Sequence, residues 1–64
     1  MTKERYERFM SLVTKLDDCR DDLSFLAVVE IRDKGELSDI LAFMCYDLEL
    51  IISELRQRLE FIEL

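Results

Sequence analysis

Apolar residues recur along this chain at two spacings, alternately three and four apart, in two long runs separated by one break. In the first run Phe9, Leu12, Leu16, Cys19, Leu23 and Leu26 form such a series, widened by Val13 and Ala27. That is the heptad pattern of a helix packed lengthwise on another helix. Towards its end the pattern changes, because Phe25, Leu26, Ala27, Val28, Val29 and Ile31 are apolar on every side of a helix. A helix apolar all round is buried all round. The β-branched residues there would also suit a strand, but a lone strand has no partner, so a helix is expected. In the second run the series is Leu37, Leu41, Met44, Leu48, Ile51, Leu55 and Ile62, with Arg58 interrupting it and Cys45, Ile52 and Leu59 beside it. The densest block, Ile40 to Ile52, is interrupted only by Asp47 and Glu49. It is expected to form the core, with Leu23, Leu26, Leu41, Met44, Leu48 and Ile51 carrying the fold.

Local signals place the ends. Thr2 can cap the first helix, Glu4 suits its positive end, and Lys3/Glu7 and Glu4/Arg8 are opposite charges one turn apart. The sequence Asp33-Lys34-Gly35-Glu36 holds the only glycine and there is no proline. Gly35 is expected to take the left-handed position that ends a helix, and Ser38 to cap the next one. The reading is an all-α chain, a single domain spanning residues 1–64. It is an antiparallel hairpin of two long helices, about 3–32 and 38–63, joined by a turn at 33–37. At 1.5 Å per residue each helix would be roughly 40–45 Å long.

One hairpin does not account for the apolar content, which is 50% of 64 residues. The two seams use fewer than half of those residues. Phe25, Val28, Val29 and Ile31 on the first helix, and Ile40, Phe43, Tyr46 and Leu50 on the second, are left near the turn and are expected to form an interface. A chain this short also needs a staple beyond its own core. Dimerisation into a four-helix bundle by a twofold axis would supply it. The alternative is a monomer that offers the same patch to a different protein.

Charge and chemistry narrow the function. The formal net charge is −6 and histidine is absent, which disfavours a nucleic-acid backbone or an anionic membrane as partner. Asp17, Asp18, Asp21 and Asp22 set like charges one turn apart. They form a candidate acidic docking patch for a basic partner, set against an ordinary solvated face. A cation site there would lack the Glu-x-x-His elements of metal-binding bundles, so no metal and no cofactor is expected. Cys19 and Cys45 lie too far apart along the hairpin for an easy disulfide and read as small buried hydrophobes. No catalytic residues are assigned: there is no nucleophile–base pair, phosphate loop or zinc spacing. Tyr6, Phe43 and Tyr46 are not interleaved with basic residues as a base-stacking platform would be. Lys3, Arg5, Arg8, Arg56 and Arg58 gather at the open end, diluted by Glu4, Glu7, Glu54 and Glu60. With no secretory h-region and no block long enough to span a bilayer, a cytoplasmic protein with reduced thiols is expected.

In length and hairpin plan the whole chain resembles the Rop family of plasmid RNA-binding regulators, which are dimers of helical hairpins. The likeness is architectural and rests on no motif. It implies a dimeric bundle and an RNA partner. That family contacts RNA through a basic and polar face of its first helix, where this chain carries Asp17, Asp18, Asp21 and Asp22, so no contact residue is carried over. The expected function is a small non-catalytic protein–protein interaction module, a regulatory or adaptor protein of a bacterium, plasmid or phage, that self-associates through apolar helix faces. The alternatives are an acidic inhibitor that mimics nucleic acid at a basic partner site and, behind it, an RNA-binding bundle of Rop-like plan.

Overall fold

In the computed structural model, which describes residues 1–64, the chain is an all-α antiparallel hairpin of α1 (Lys3–Arg32) and α2 (Ser38–Glu60). Its Cα envelope measures 48 × 15 × 11 Å. The Thr2 hydroxyl accepts the Arg5 N–H at 3.2 Å and caps α1. Glu4 pairs with Arg8 at 3.4 Å on the exposed surface. α2 closes at Glu60, short of residue 63, because the Phe61 N–H turns back to the Arg58 carbonyl at 3.3 Å.

The turn is built differently from expectation. Lys34, not Gly35, takes the left-handed conformation, with φ 55°. Its N–H donates to the Ile31 carbonyl at 3.2 Å, and the Gly35 N–H donates to the Glu30 carbonyl at 2.8 Å. These two bonds are the Schellman closure of a helix C-terminus. Gly35 serves another need: a Cβ there would collide with the Glu30 carboxylate as it is placed. Lacking that Cβ, it lets Glu30 reach across the turn, where its Oε2 accepts the Leu37 N–H at 3.2 Å. Ser38 therefore is not the cap of α2. The cap position is Leu37, and the acceptor that serves it comes from α1. A non-glycine residue in the left-handed region costs about 1–2 kcal/mol. Lys34→Gly should accordingly stabilise the chain by about 0.5–1 kcal/mol in urea denaturation, where an unchanged or lower midpoint would contradict this account of the turn.

The helices meet along one continuous column each. On α1 it runs Tyr6, Phe9, Val13, Leu16, Arg20, Leu23, Ala27 and Glu30, and on α2 Ser38, Leu41, Cys45, Leu48, Ile52, Leu55 and Leu59, with Ile62 just past its end; every one of these is buried or half-buried. Part of each column, Phe9/Leu16/Leu23 and Leu41/Leu48/Leu55/Ile62, is as the periodicity predicts. Another part is shifted by one residue. Val13, Arg20 and Ala27 replace Leu12, Cys19 and Leu26, while Cys45, Ile52 and Leu59 replace Met44, Ile51 and Arg58. Leu26, Met44 and Ile51, expected to carry the fold, are exposed. The shift removes Arg58 from the contact on α2, and on α1 it admits Arg20, whose guanidinium is neutralised by Asp17 at 3.4 Å.

The core lies towards the open end, not in the Ile40–Ile52 block. Val13, Ile52 and Leu59 form its buried centre, with Tyr6, Phe9, Leu16, Leu48, Leu55 and Ile62 packed around them. Of the dense apolar block only Ile52 is fully buried. Near the turn the contact is made by smaller side chains, Ala27, Ser24 and Cys45, and the Ser24 hydroxyl donates to the Cys45 sulfur at 3.8 Å. Both cysteines are free, and Cys19 is exposed instead of buried.

Candidate interaction surface

A helix turns about 100° per residue, so the contact columns fix where every other side chain points. Phe25 stands midway in sequence between the contact residues Leu23 and Ala27, about 200° from each, and so points directly away from α2. Phe43 has the same relation to Leu41 and Cys45, and Leu50 to Leu48 and Ile52. Phe25 and Phe43 are each 70% exposed, on opposite edges of the hairpin. Val28, Ile31 and Tyr46 follow contact residues by one position and lean to one broad side, called here the back. Val29 and Ile40 each precede one and lean to the other side, the front. The eight residues expected to form one interface are thus divided among two edges and two sides. All are exposed except the half-buried Val29.

The surface that the sequence reading missed is the front. Because the contact column is shifted by one, the displaced residues form a second apolar column on each helix. Leu12, Cys19 and Leu26 lie seven residues apart on α1, and Met44 and Ile51 continue on α2 the same spacing from its cap residue Leu37; all are exposed. They share one side of the hairpin, since Cys19, Leu23, Met44, Leu48 and Ile51 line a single groove of about 400 Å³ with Asp47 at its lip. A second depression continues the groove towards the open end over Phe9 and Leu12, bordered by Arg5 and Arg8. The front is therefore a stripe of leucine, methionine and isoleucine running along the molecule. Its outer borders carry Arg8, Lys15, Asp22 and Val29 on α1, and Ile40, Asp47 and Glu54 on α2, with Phe61 at the cap that ends it. The signal for it was in the sequence, as two apolar registers on each helix of which one hairpin can bury only one.

The acidic patch is not one unit. Asp17 turns towards α2, where it meets Arg56 as well as Arg20 of its own helix, and its side chain is only 19% exposed. Asp21 pairs with Arg20 at 3.3 Å. Asp18 and Asp22 remain exposed without an ion pair, and no three acidic, cysteine or histidine side chains converge to hold a metal ion. Among the basic residues at the open end, Arg8 is held by Glu4, Arg58 by Glu54 at 2.8 Å, and Arg56 by Asp17. A half-exposed ion pair is screened, and its contribution is at most about 1 kcal/mol. Asp17→Asn should lower stability by roughly that amount at low salt and by less at high salt. Asp18→Asn and Asp22→Asn should stay within about 0.5 kcal/mol of the parent. Equal effects at all three positions in urea titrations would mean that Asp17 does not clamp the helices.

No helix is long and apolar enough to cross a membrane. Comparison with known proteins finds no matching protein family, no matching curated protein and no matching solved structure.

Proposed function

We propose that the chain is a non-catalytic protein–protein interaction module that self-associates through its apolar front, two hairpins forming a four-helix bundle. One observation carries this reading. Leu12, Leu26, Leu37, Met44 and Ile51 are large and exposed, and their seven-residue spacing puts them on the side where Met44 and Ile51 line the groove, whereas a solvated helix face is polar. Each helix of a four-helix bundle touches two neighbours and so needs two adjoining apolar columns. Both helices have two, sharing Phe9/Leu16/Leu23 on α1 and Leu41/Leu48/Leu55 on α2. The outer edges, with Phe25, Phe43 and Leu50, would remain available to another protein, in keeping with an adaptor or regulator. The acidic-mimic reading has weaker support, because Asp17 and Asp21 are occupied by Arg20 and Arg56. The RNA reading is weakened in the same way, because the arginines of the open end are largely tied to carboxylates of their own hairpin.

Light scattering coupled to gel filtration tests the reading. At micromolar concentration the mass should be twice that of one chain, and it should fall towards one chain on dilution. A folded monomer at micromolar concentration would sink it.

A further inference from the structure

We infer that the occupant of the front face is a second copy of the chain docked with both turns at the same end, so that α1 of each hairpin lies against α2 of its partner. This rests on the self-association proposed above and adds a register and a direction to it. The face is of adequate size: a surface about 48 by 15 Å is in the class of stable interfaces, which cover about 800 Å² per partner.

The direction follows from how side chains are levelled along the hairpin. The cross-helix contacts Ser24–Cys45 and Asp17–Arg56 set Leu26 level with Met44, Cys19 with Ile51, Lys15 with Glu54 and Val29 with Ile40. A twofold axis parallel to the helices keeps each height and exchanges α1 for α2. Leu26 then meets the partner's Met44, Cys19 the partner's Ile51, and Val29 the partner's Ile40, each contact occurring twice. On the border, Lys15 meets the partner's Glu54. Lys15 has no ion pair within its own hairpin. Glu54 uses only Oε1 to hold Arg58, which leaves Oε2 for a lysine from outside. Two contacts oppose the arrangement, Asp22 against the partner's Asp47 and Leu12 against the partner's Arg58. The reverse arrangement, turns at opposite ends, is poorer. It brings Met44 against the partner's Arg58, Val29 against the partner's Arg8 and Asp47 against the partner's Glu54, although it offers Lys15 the partner's Asp22 and Leu12 the partner's Leu26.

Spin labels at Glu36→Cys, in a Cys19→Ala/Cys45→Ala background, read the direction by dipolar spectroscopy. With turns together the label distance should be about 25 Å or less, the sum of an interaxial spacing of 8–10 Å and two label tethers. A dimer with labels near the full 48 Å length of the hairpin would overturn the arrangement while leaving self-association standing. A monomer by light scattering would overturn both. The register has its own test. Lys15→Glu should weaken the dimer about tenfold, as two screened pairs turn repulsive. Lys15→Glu combined with Glu54→Lys should restore it. Both positions are exposed, so folding of the hairpin is preserved, and failure of the double exchange to rescue would overturn the Lys15–Glu54 pairing.

Discussion

Met44→Glu should leave the protein monomeric at concentrations where the parent chain is a dimer, and lower its melting temperature by more than about 10 °C. Met44 lies in the floor of the front groove, next to Leu48 and across from Leu23. In the isolated hairpin it is exposed, so a carboxylate there meets water and costs the hairpin little. In a twofold dimer the same carboxylate is buried twice without a counter-charge, a penalty of several kcal/mol. Association would be abolished. The effect on melting follows by linkage, because a partner that binds only the folded chain stabilises it by mass action. In a domain this small each kcal/mol corresponds to about 4–8 °C. Ser53→Glu is the control. It is exposed on the same helix, one position past Ile52 and so on the back, and should change neither mass nor melting temperature. If Met44→Glu has the mass and melting temperature of the parent, the front face is not the site of association.

How far the sequence revealed this surface is a question of register. The existence of two helices and the position of the break were legible, because heptad spacing and a single glycine leave few other arrangements. What periodicity could not decide was which of two apolar registers faces inwards. On α1 the choice is between Leu12/Cys19/Leu26 and Val13/Arg20/Ala27. Hydrophobicity favours the first, and the structure takes the second. The reasons are non-local: Arg20 is tolerated because Asp17 neutralises it, and Ala27 is small enough for close helix approach. On α2 the interruption at Arg58 was a visible sign that the register one residue later, through Leu59, is the unbroken one. The turn failed for a similar reason. Glycine is the usual left-handed cap, but here its missing side chain makes room for Glu30, a contact between residues that local rules treat separately. The acidic patch could be read as a cluster, yet only the packed hairpin places Arg56 beside Asp17.

Two neighbouring isoleucines should separate the stability of the hairpin from that of the assembly. Ile52 is 2% exposed between Val13 and Leu59. Truncating a fully buried isoleucine to alanine costs about 2–5 kcal/mol, because the cavity adds to the lost transfer energy. A single core in a domain of this size rarely supplies more than about 3–5 kcal/mol. Ile52→Ala should therefore leave the chain largely unfolded when dilute, with helical circular dichroism returning as concentration rises and association offsets part of the loss. Ile51 is 57% exposed and lies on the front. Ile51→Ala should keep the dilute hairpin as helical as the parent, within about 0.5 kcal/mol, yet weaken the dimer by tenfold or more as two side chains leave one interface. Circular dichroism and light scattering over the same dilution series distinguish the two. Adjacent positions so alike in chemistry are expected to differ in outcome because a step of about 100° moves a side chain from the contact between the two helices to the front, the face proposed to dock a second hairpin. If both substitutions were to lower helicity and association in parallel, the hairpin would have no stability of its own, and its two apolar registers would have to fold and associate in a single step.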